Sequence, residues 1–419
     1  MTGESSLEEL PSGWSIRRLG EIAERVRRPL SGEPEHILMI SSTVGFMPQG
    51  ERYSRFMAGK SLEKYVELHG GEFSYNRGNS KTYPQGCVYR LNQWARAAVP
   101  NVYISFKVSP NQADARFLEF YFRAGSLNTQ LARVITSGAR GNGLLNISAE
   151  DFFGVHLLLP SPEEQCRIAA ILQVADDAVN AAQRVIEQTE KLKRGVVAQL
   201  NASGMPGWNN SFKALEEGEI PESWTVQTLG EIGNWLSGGT PSMSNPAFWE
   251  GDLPWVSPKD MKIARLSDAQ DHVSELAVGN GTRLVPSGAI LVVVRGMILA
   301  HSVPVAQALR PLAFNQDIKA LLCNSNVDSD FVLYWFQMNA NRVLGIVSES
   351  THGTKRIPTE ALFQLPIALP PVHEQQAIVS KLKIIDDLQE ANKAALKSLT
   401  TARAGLTRDL LQGILRVPK

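Results

Sequence analysis

The amino-acid sequence predicts an α+β protein in which two similar mixed α/β units are separated by two long helices that form an antiparallel coiled coil. Three observations lead to this fold. Key phrases of the 419-residue chain recur about 210 residues later, two long segments carry a heptad-like apolar spacing, and short β-branched or aromatic runs lie between those segments. The repeat also predicts a pseudo-two-fold relation between the units.

The repeat begins with the phrase "PSGWSIRRLGEIAE" at 11–24, which returns as "PESWTVQTLGEIGN" at 221–234. A second phrase, "LLLPSPEEQCRIAAILQVADDAV" at 157–179, returns as "IALPPVHEQQAIVSKLKIIDDLQ" at 367–389. Between these anchors the similarity weakens. Either the loops drifted neutrally after a duplication, or two copies of one reader were tuned to two targets; the pattern favours the second account.

These anchors divide the chain into five segments. They are a first variable unit at 1–158, a long helix at 159–203, a linker at 204–220, a second variable unit at 221–368 and a second long helix at 369–415. The first helix leads through a modest linker directly into the second unit. If the second helix packs along the first, it must therefore run back toward the first unit, which makes the pair antiparallel. Such an arrangement matches the dyad of duplex DNA.

The first long helix has a well-formed start. Ser161 is predicted as the N-cap, with Pro162 at the first helical position and Glu164 completing a capping box. Apolar or small residues then follow at 168, 172, 175, 179, 182 and 186, which is the spacing of a coiled-coil seam.

The second long helix repeats this seam with Ile378, Leu382, Ile385, Leu388, Asn392, Ala395, Leu399, Ala402 and Leu406. Its cap is weaker, because Pro371 stands where the first copy has serine. Asn392 either fixes the register of the pair or lies near an exposed end, and the sequence leaves both readings open.

Composition limits the class of protein. Forty-two basic residues balance 42 acidic ones, which argues against nucleic-acid binding by bulk charge alone. The three cysteines lie far apart, without a disulfide or zinc spacing, which favours a reducing cytoplasm. The first residues do not resemble a signal peptide, and no apolar run reaches the roughly 18 residues of a membrane helix. No membrane partner is expected.

Each variable unit nevertheless contains a basic segment. No acidic residue lies between Glu72 and Asp114, or between Glu275 and Asp317. The first interval contains arginines and lysines, and the second contains Arg283, Arg295 and Arg310. Such segments attract a phosphate backbone, and Arg, Lys, Asn and Gln can also recognise base edges. The predicted DNA-binding residues are Tyr75, Asn76, Arg77, Asn79, Lys81, Tyr83, Arg140, Asn142, Lys259, Asn315, Gln316, His352, Lys355 and Arg356.

Ordinary structural roles compete with this interpretation. The stretch "FSYNRGNSKTYPQG" at 73–86 has the chemistry of a solvated hairpin turn. Asn315 and Gln316 are equally suited to capping a strand end, and His352 taken alone is an ordinary loop histidine.

Sequence motifs for catalysis are absent. The chain has no complete phosphate loop, no glycine-rich dinucleotide fingerprint and no His-x-x-x-His pair. It also lacks the Asn- or Asp-Pro-Pro-aromatic stretch of an adenine methyltransferase. We therefore predict no catalytic residue, no metal site and no cofactor bound by this chain.

Taken together, these phrases resemble the specificity subunit of type I restriction-modification systems. The resemblance rests on the two unit openings, on "LLLPSPEEQ" and "IALPPVHEQ" at the starts of the helices, and on "GGTPSMSNPAFWEGDLPWVSPKDM" at 238–261. It implies two target recognition domains, each of which reads one half of a bipartite, asymmetric DNA site, and helices that set the gap between the halves.

The resemblance also implies partners that supply all the chemistry. Two modification subunits with S-adenosylmethionine would methylate adenine, and restriction subunits would translocate and cut double-stranded DNA with ATP and Mg²⁺. On the helices, Glu164, Gln165, Glu374 and Gln375 match the family motif and are expected to shape the start of each helix or to contact a partner subunit. Two alternatives stay open at this point: a duplicated coiled-coil scaffold that binds proteins without DNA specificity, and a solitary DNA-binding regulator.

Overall fold

The computed structural model describes residues 10–51, 62–78, 83–135, 145–215, 218–349 and 353–417. The chain forms two compact units, and each unit takes part of both long helices. Unit 1 comprises Met1–Arg184 with Ala394–Lys419, and unit 2 comprises Val185–Lys393. The predicted α+β fold class is confirmed, since mixed sheets and short helices accompany two helices of 42 and 40 residues.

Unit 1 is built on a four-stranded antiparallel sheet of order β2-β9-β6-β7, with three two-stranded pairs beside it. Its strands are β1 Ser15–Arg18, β2 Ala23–Arg25, β3 Leu38–Ser41, β4 Gly45–Pro48, β5 Tyr65–His69, β6 Phe73–Asn76, β7 Cys87–Arg90, β8 Arg96–Pro100, β9 Ile104–Val108 and β10 His156–Leu159. Its helices are α1 Leu19–Ile22, α2 Ala115–Arg123, α3 Asn128–Val134, α4 Ala149–Phe153 and the first part of α5 Pro162–Ser203.

Unit 2 contains a five-stranded sheet of order β14-β22-β19-β20-β16 and a four-stranded sheet of order β17-β15-β21-β18. Its strands are β11 Phe212–Leu215, β12 Gly218–Pro221, β13 Thr225–Thr228, β14 Gly233–Ser237, β15 Leu253–Val256, β16 Arg265–Leu266, β17 Asp271–Val273, β18 Arg283–Val285, β19 Ile290–Val293, β20 Val305–Ala308, β21 Leu312–Phe314, β22 Ile318–Cys323, β23 Ser348–Glu349, β24 Lys355–Arg356 and β25 Pro366–Leu369. Its helices are α6 Ser329–Met338, α7 Ala340–Gly345, α8 Thr359–Phe363 and the first part of α9 Val372–Leu411.

The two repeated phrases pair with each other inside each unit. In unit 1, β1 of the opening phrase pairs with β10, which leads into α5, and Ser15 lies opposite Leu159. In unit 2, β13 pairs with β25 in the same register, with Thr225 opposite Leu369. The phrases recur together because each phrase is half of one two-stranded ribbon.

The structure departs from the sequence prediction in three places. Residues 73–76, read from the sequence as the start of a loop, form the buried central strand β6. The helical pattern that follows the sheet is split into α2 and α3 in unit 1, where Gly125 adopts a positive φ of 72°. A positive φ cannot continue a right-handed helix, so the chain turns there. The segment predicted as a linker contains the hairpin β11–β12.

Within each unit the two long helices run antiparallel. In unit 1, Asp176 of α5 accepts a hydrogen bond from Arg403 of α9 at 2.5 Å. In unit 2, Lys193 of α5 donates to Asp386 of α9. Asp176 and Asp386 are repeat equivalents, and so are Lys193 and Arg403, so the same ion pair occurs once in each unit with the helices exchanged.

The apolar seam is present with one correction. Ile168 and Leu172 are buried in unit 1, as are Ile378 and Leu382 in unit 2. Leu388 and Leu399, both predicted in the seam, are 48% and 37% exposed. A straight helix drifts by about 20° per heptad relative to a strict seven-residue repeat, which rotates such a position out of the contact.

Candidate nucleic-acid interface and helix starts

The structure describes only part of the predicted DNA-binding set. Asn79, Lys81, Arg140, Asn142 and His352 lie outside the described residues. The remaining nine can be placed, and their environments range from the buried core to the exposed surface.

Tyr75 belongs to the core of unit 1. Its side chain is fully buried and stacks on Phe152 with ring centroids 4.5 Å apart, and its hydroxyl donates to the Gln85 carbonyl at 2.7 Å. Burial raises the pKa of this phenol. A side chain without exposed surface cannot contact DNA in this conformation. The turn chemistry that follows at 77–80 concealed the strand that precedes it.

Asn76 and Arg77 hold together the loops around them. The Asn76 side chain donates to the Ile40 carbonyl at 3.3 Å and accepts from the backbone N–H of Gly78 at 2.9 Å. The half-buried Arg77 guanidinium donates to the carbonyls of Val102 and Ile147 at 3.0 and 3.1 Å. These bonds tie the end of β6 to two distant segments, so Arg77 has a structural role in unit 1.

Tyr83 lines an open cavity of about 1010 Å³ in unit 1. The cavity lies between β7, the end of α2 and the last part of α9, and four arginines line it. Each of the four is paired with a carboxylate. The pairs are Arg90 with Glu119, Arg123 and Arg403 with Asp176, and Arg408 with Asp409. Because these charges are already compensated, the cavity is not a strong anion site.

In unit 2, Asn315 and Gln316 lie just beyond β21. The Asn315 side chain is buried and accepts from the Asp317 N–H at 3.0 Å, which is the strand-end capping that the sequence left open. Gln316 is exposed and accepts from the Thr240 hydroxyl at 2.5 Å. Lys259 forms an ion pair with Asp271 at 2.6 Å, and this hydrogen bond raises the pKa of the ammonium group.

Lys355 and Arg356 form β24 but differ in their environment. Lys355 is paired with Glu349 of β23 at 2.5 Å. Arg356 is exposed and lies directly opposite Arg295 in an antiparallel bridge. Its guanidinium therefore remains available on the surface of unit 2.

Sequence reasoning missed two arginines of unit 1. Arg25, at the end of β2, and Arg27 are both exposed, and neither forms an ion pair with any residue that the structure describes. Burial, followed by the positive charges of Arg27 and Arg77, lowers the pKa of Arg25. Like charges collected in one place create a local positive potential. The three arginines of "ERVRR" at 24–28 indicate this positive charge in the sequence. They were missed because the phrase lies before the segment that contains no acidic residue.

The Glu-Gln dipeptide at the start of each long helix is buried. Gln165 accepts from the Asp114 N–H at 2.9 Å and donates to the Pro160 carbonyl at 2.9 Å. Gln375 makes the equivalent bonds, accepting from the Asp328 N–H at 2.8 Å and donating to the Pro370 carbonyl at 2.8 Å. Asp114 and Asp328 are the N-caps of α2 and α6. Each glutamine thus fixes a short helix to the start of a long one.

The adjacent glutamates bind the segment that follows the end of the other long helix. Glu374 accepts from the indole N–H of Trp224 at 3.0 Å and from the Met205 N–H at 2.9 Å. Glu164 instead forms a bidentate pair with Arg416 at 2.9 and 3.0 Å. The turn before Met205 requires glycine, because Gly204 has φ +68° and a Cβ there would lie 2.2 Å from Glu374 Oε1.

Among the residues that the structure describes, no group of three His, Cys, Asp or Glu side chains is placed to hold a metal ion. In the same residues, no helix is long and apolar enough to cross a bilayer.

Comparison with solved structures identifies the fold. The HsdS subunit from Thermoanaerobacter tengcongensis superposes with a TM-score of 0.51 at 18% identity, covering 98% of this chain and 99% of that one. The S subunit of the type I restriction-modification system from M. genitalium gives a TM-score of 0.54 at 15% identity, covering 97% and 98%. The chain therefore shares the fold of these S subunits.

Sequence comparison gives the family. The family model of the type I restriction modification DNA specificity domain matches residues 221–401. The EcoR124I/EcoR124II specificity subunit from Escherichia coli is 32% identical over 49% of this chain and 51% of that protein. The MjaVIII specificity subunit from Methanocaldococcus jannaschii is 26% identical over 97% and 94%. The chain spans about half the length of the first relatives it matches. These relatives are all specificity subunits of type I restriction enzymes, and this chain is similar to them.

We expect Arg77→Ala to destabilise unit 1 by about 2–3 kcal/mol, because two carbonyls lose a charged donor. Arg27→Ala, which removes an exposed and unpaired guanidinium, should change stability by less than about 0.5 kcal/mol. Urea denaturation followed by circular dichroism measures both. Equal midpoints for the two variants would refute the structural role of Arg77.

Gln375→Ala should cost about 2–4 kcal/mol, because the Asp328 N–H and the Pro370 carbonyl are left buried without a partner. The neighbouring Gln376 is exposed, so Gln376→Ala is the matched control and should stay within about 0.5 kcal/mol of the wild type. A Gln375→Ala protein as stable as the control would show that this dipeptide does not hold the helix start.

Proposed function

We propose that this chain is the DNA sequence-recognition subunit of a type I restriction-modification complex and has no catalytic activity of its own. Each variable unit reads one half of a bipartite, asymmetric site. The two long helices set the number of unread base pairs and carry the modification subunits. The observation that carries this proposal is the repeated framework: the same ribbon, the same buried Glu-Gln dipeptide and the same interhelical ion pair occur in both units.

The reading surface is proposed to lie in the variable middle of each unit. There the two units share least, with one four-stranded sheet in unit 1 and both a five-stranded and a four-stranded sheet in unit 2. A framework held constant around a divergent middle suits two readers with different targets. The exposed arginines at 25, 27, 295 and 356 supply the positive charge that a phosphate backbone requires.

Modification subunits are proposed to dock where both units expose the same apolar positions. Val174 of α5 and its repeat equivalent Ile384 of α9 are 70% and 67% exposed. Ile16 of β1 and its equivalent Val226 of β13 are 54% and 44% exposed. Apolar residues that recur outward at equivalent positions favour one docking surface per unit, and hence two modification subunits.

The chemistry would belong to the partners. In this proposal S-adenosylmethionine is held by the modification subunits, which flip and methylate an adenine in each half-site. ATP and Mg²⁺ would be used by restriction subunits. This chain contributes orientation: it places two methyltransferases at defined positions on the duplex.

Co-expression with a modification subunit tests the function directly. We expect a stable complex to co-purify and to methylate adenine within one gapped sequence, which single-molecule sequencing of the host genome would identify. Co-purification with methylation that is indifferent to sequence would contradict the proposal, and a complex without methyltransferase would favour the scaffold instead.

We expect Val174→Asp to remove one of the two modification subunits. The double variant Val174→Asp with Ile384→Asp should remove both, and native mass spectrometry counts the bound subunits. Loss of a buried apolar contact of about 1.5–3 kcal/mol weakens each docking event at least about tenfold. Leu192→Asp is the control, because Leu192 is 57% exposed on the same helix but its repeat equivalent is Ala402. Two bound subunits in the double variant would rule out this docking surface.

A further inference from the structure

Two arginines of unit 2 lie side by side on one surface. Arg295 and Arg356 form an isolated antiparallel bridge. The flanking hydrogen bonds run from the Gly296 N–H to the Lys355 carbonyl at 3.0 Å and from the Ile357 N–H to the Val294 carbonyl at 2.9 Å. Bonds in this pattern define the non-hydrogen-bonded type of cross-strand pair, in which Cα atoms are about 4.5 Å apart and side chains are closest. Both side chains therefore leave the same face.

This pair has no counter-charge in the described part of the chain. Neither guanidinium forms an ion pair there, and the residue opposite Arg356 on β23 is the neutral Ser348. Glu349 is engaged by Lys355, which points to the other face of β24. The nearby Asp317 accepts the Arg295 N–H through its carbonyl oxygen at 3.3 Å. Like charges directly opposite each other destabilise a strand pair, and a bound anion would relieve that repulsion.

Exposed apolar residues border the two arginines. A short 3-10 helix spans Met297–Ala300 and packs on β24. Met297 and Ile298 are 64% and 42% exposed, whereas Leu299 of the same turn is buried and anchors it. Gly296 makes the turn possible with φ +134°. The surface thus presents two arginine side chains beside two exposed apolar side chains.

We propose that Arg295 and Arg356 form a two-pronged phosphate clamp for duplex DNA, with Met297 and Ile298 making the adjacent apolar contact to the sugar or base edges. The proposal rests on the proposed function and assigns the clamp to the half-site that unit 2 reads. Arginine suits this task, because its planar guanidinium donates to two phosphate oxygens at once. Apolar side chains next to such contacts read thymine methyl groups or enter a base step.

The test measures binding of the full chain to a 40-base-pair duplex of mixed sequence over a range of salt concentrations. We expect the double variant Arg295→Gln with Arg356→Gln to lose two phosphate contacts. The slope of the logarithm of the binding constant against the logarithm of the salt concentration should then fall in magnitude by about 1.8. The double variant Arg295→Lys with Arg356→Lys keeps both positive charges and should therefore have the wild-type slope. Met297→Ser with Ile298→Ser should weaken binding without changing the slope.

Arg283→Gln with Arg310→Gln is the matched control, because both arginines are exposed in unit 2 and neither forms an ion pair with a residue that the structure describes. An equal change of slope in this control would show that any exposed arginine of unit 2 contributes in the same way, and the clamp proposal would be overturned. An unchanged slope in the Arg295/Arg356 glutamine variant would also overturn it, while leaving DNA recognition intact. If the wild-type chain bound the duplex without salt dependence, the proposed function itself would fail. Circular dichroism confirms that each variant is folded.

Discussion

The buried Glu-Gln dipeptide at the start of each long helix is the constraint on which the rest of the structure depends. The glutamine side chain accepts from the backbone N–H at the N-cap of a short helix and donates to the carbonyl of the proline before the long helix. The glutamate carboxylate accepts hydrogen bonds from the segment that follows the other long helix. One dipeptide therefore joins three parts of the chain, and a buried polar group left without these bonds would cost more than the bonds themselves contribute.

Because the framework is held at these positions, the middle of each unit is free to differ. The ribbon of opening and closing phrases keeps one register in both units. The sheets between them differ, since unit 1 has one four-stranded sheet with two-stranded pairs, whereas unit 2 has a five-stranded and a four-stranded sheet. A constant frame around a divergent interior allows the two units to differ without changing how the long helices start.

Cationic residues divide into those used inside the fold and those left on its surface. Arg77 and Lys355 are bound to carbonyls or to a carboxylate, and the four arginines of the unit 1 cavity are all paired. Arg25, Arg27, Arg295 and Arg356 form no ion pair with the residues that the structure describes. In a chain of zero net charge, the second group gives parts of the surface a local positive charge.

The sequence by itself determined the duplication, the two long helices and their seam, because periodic apolar spacing and repeated phrases are local properties of the chain. It also placed the Glu-Gln dipeptides at the helix starts. Only the tertiary structure decided that Tyr75 is core, that Arg77 braces two loops and that Arg295 meets Arg356. The physical reason is that burial, hydrogen-bond partners and neighbouring charges depend on segments far apart in sequence, and the type of a residue does not reveal which of them it will meet.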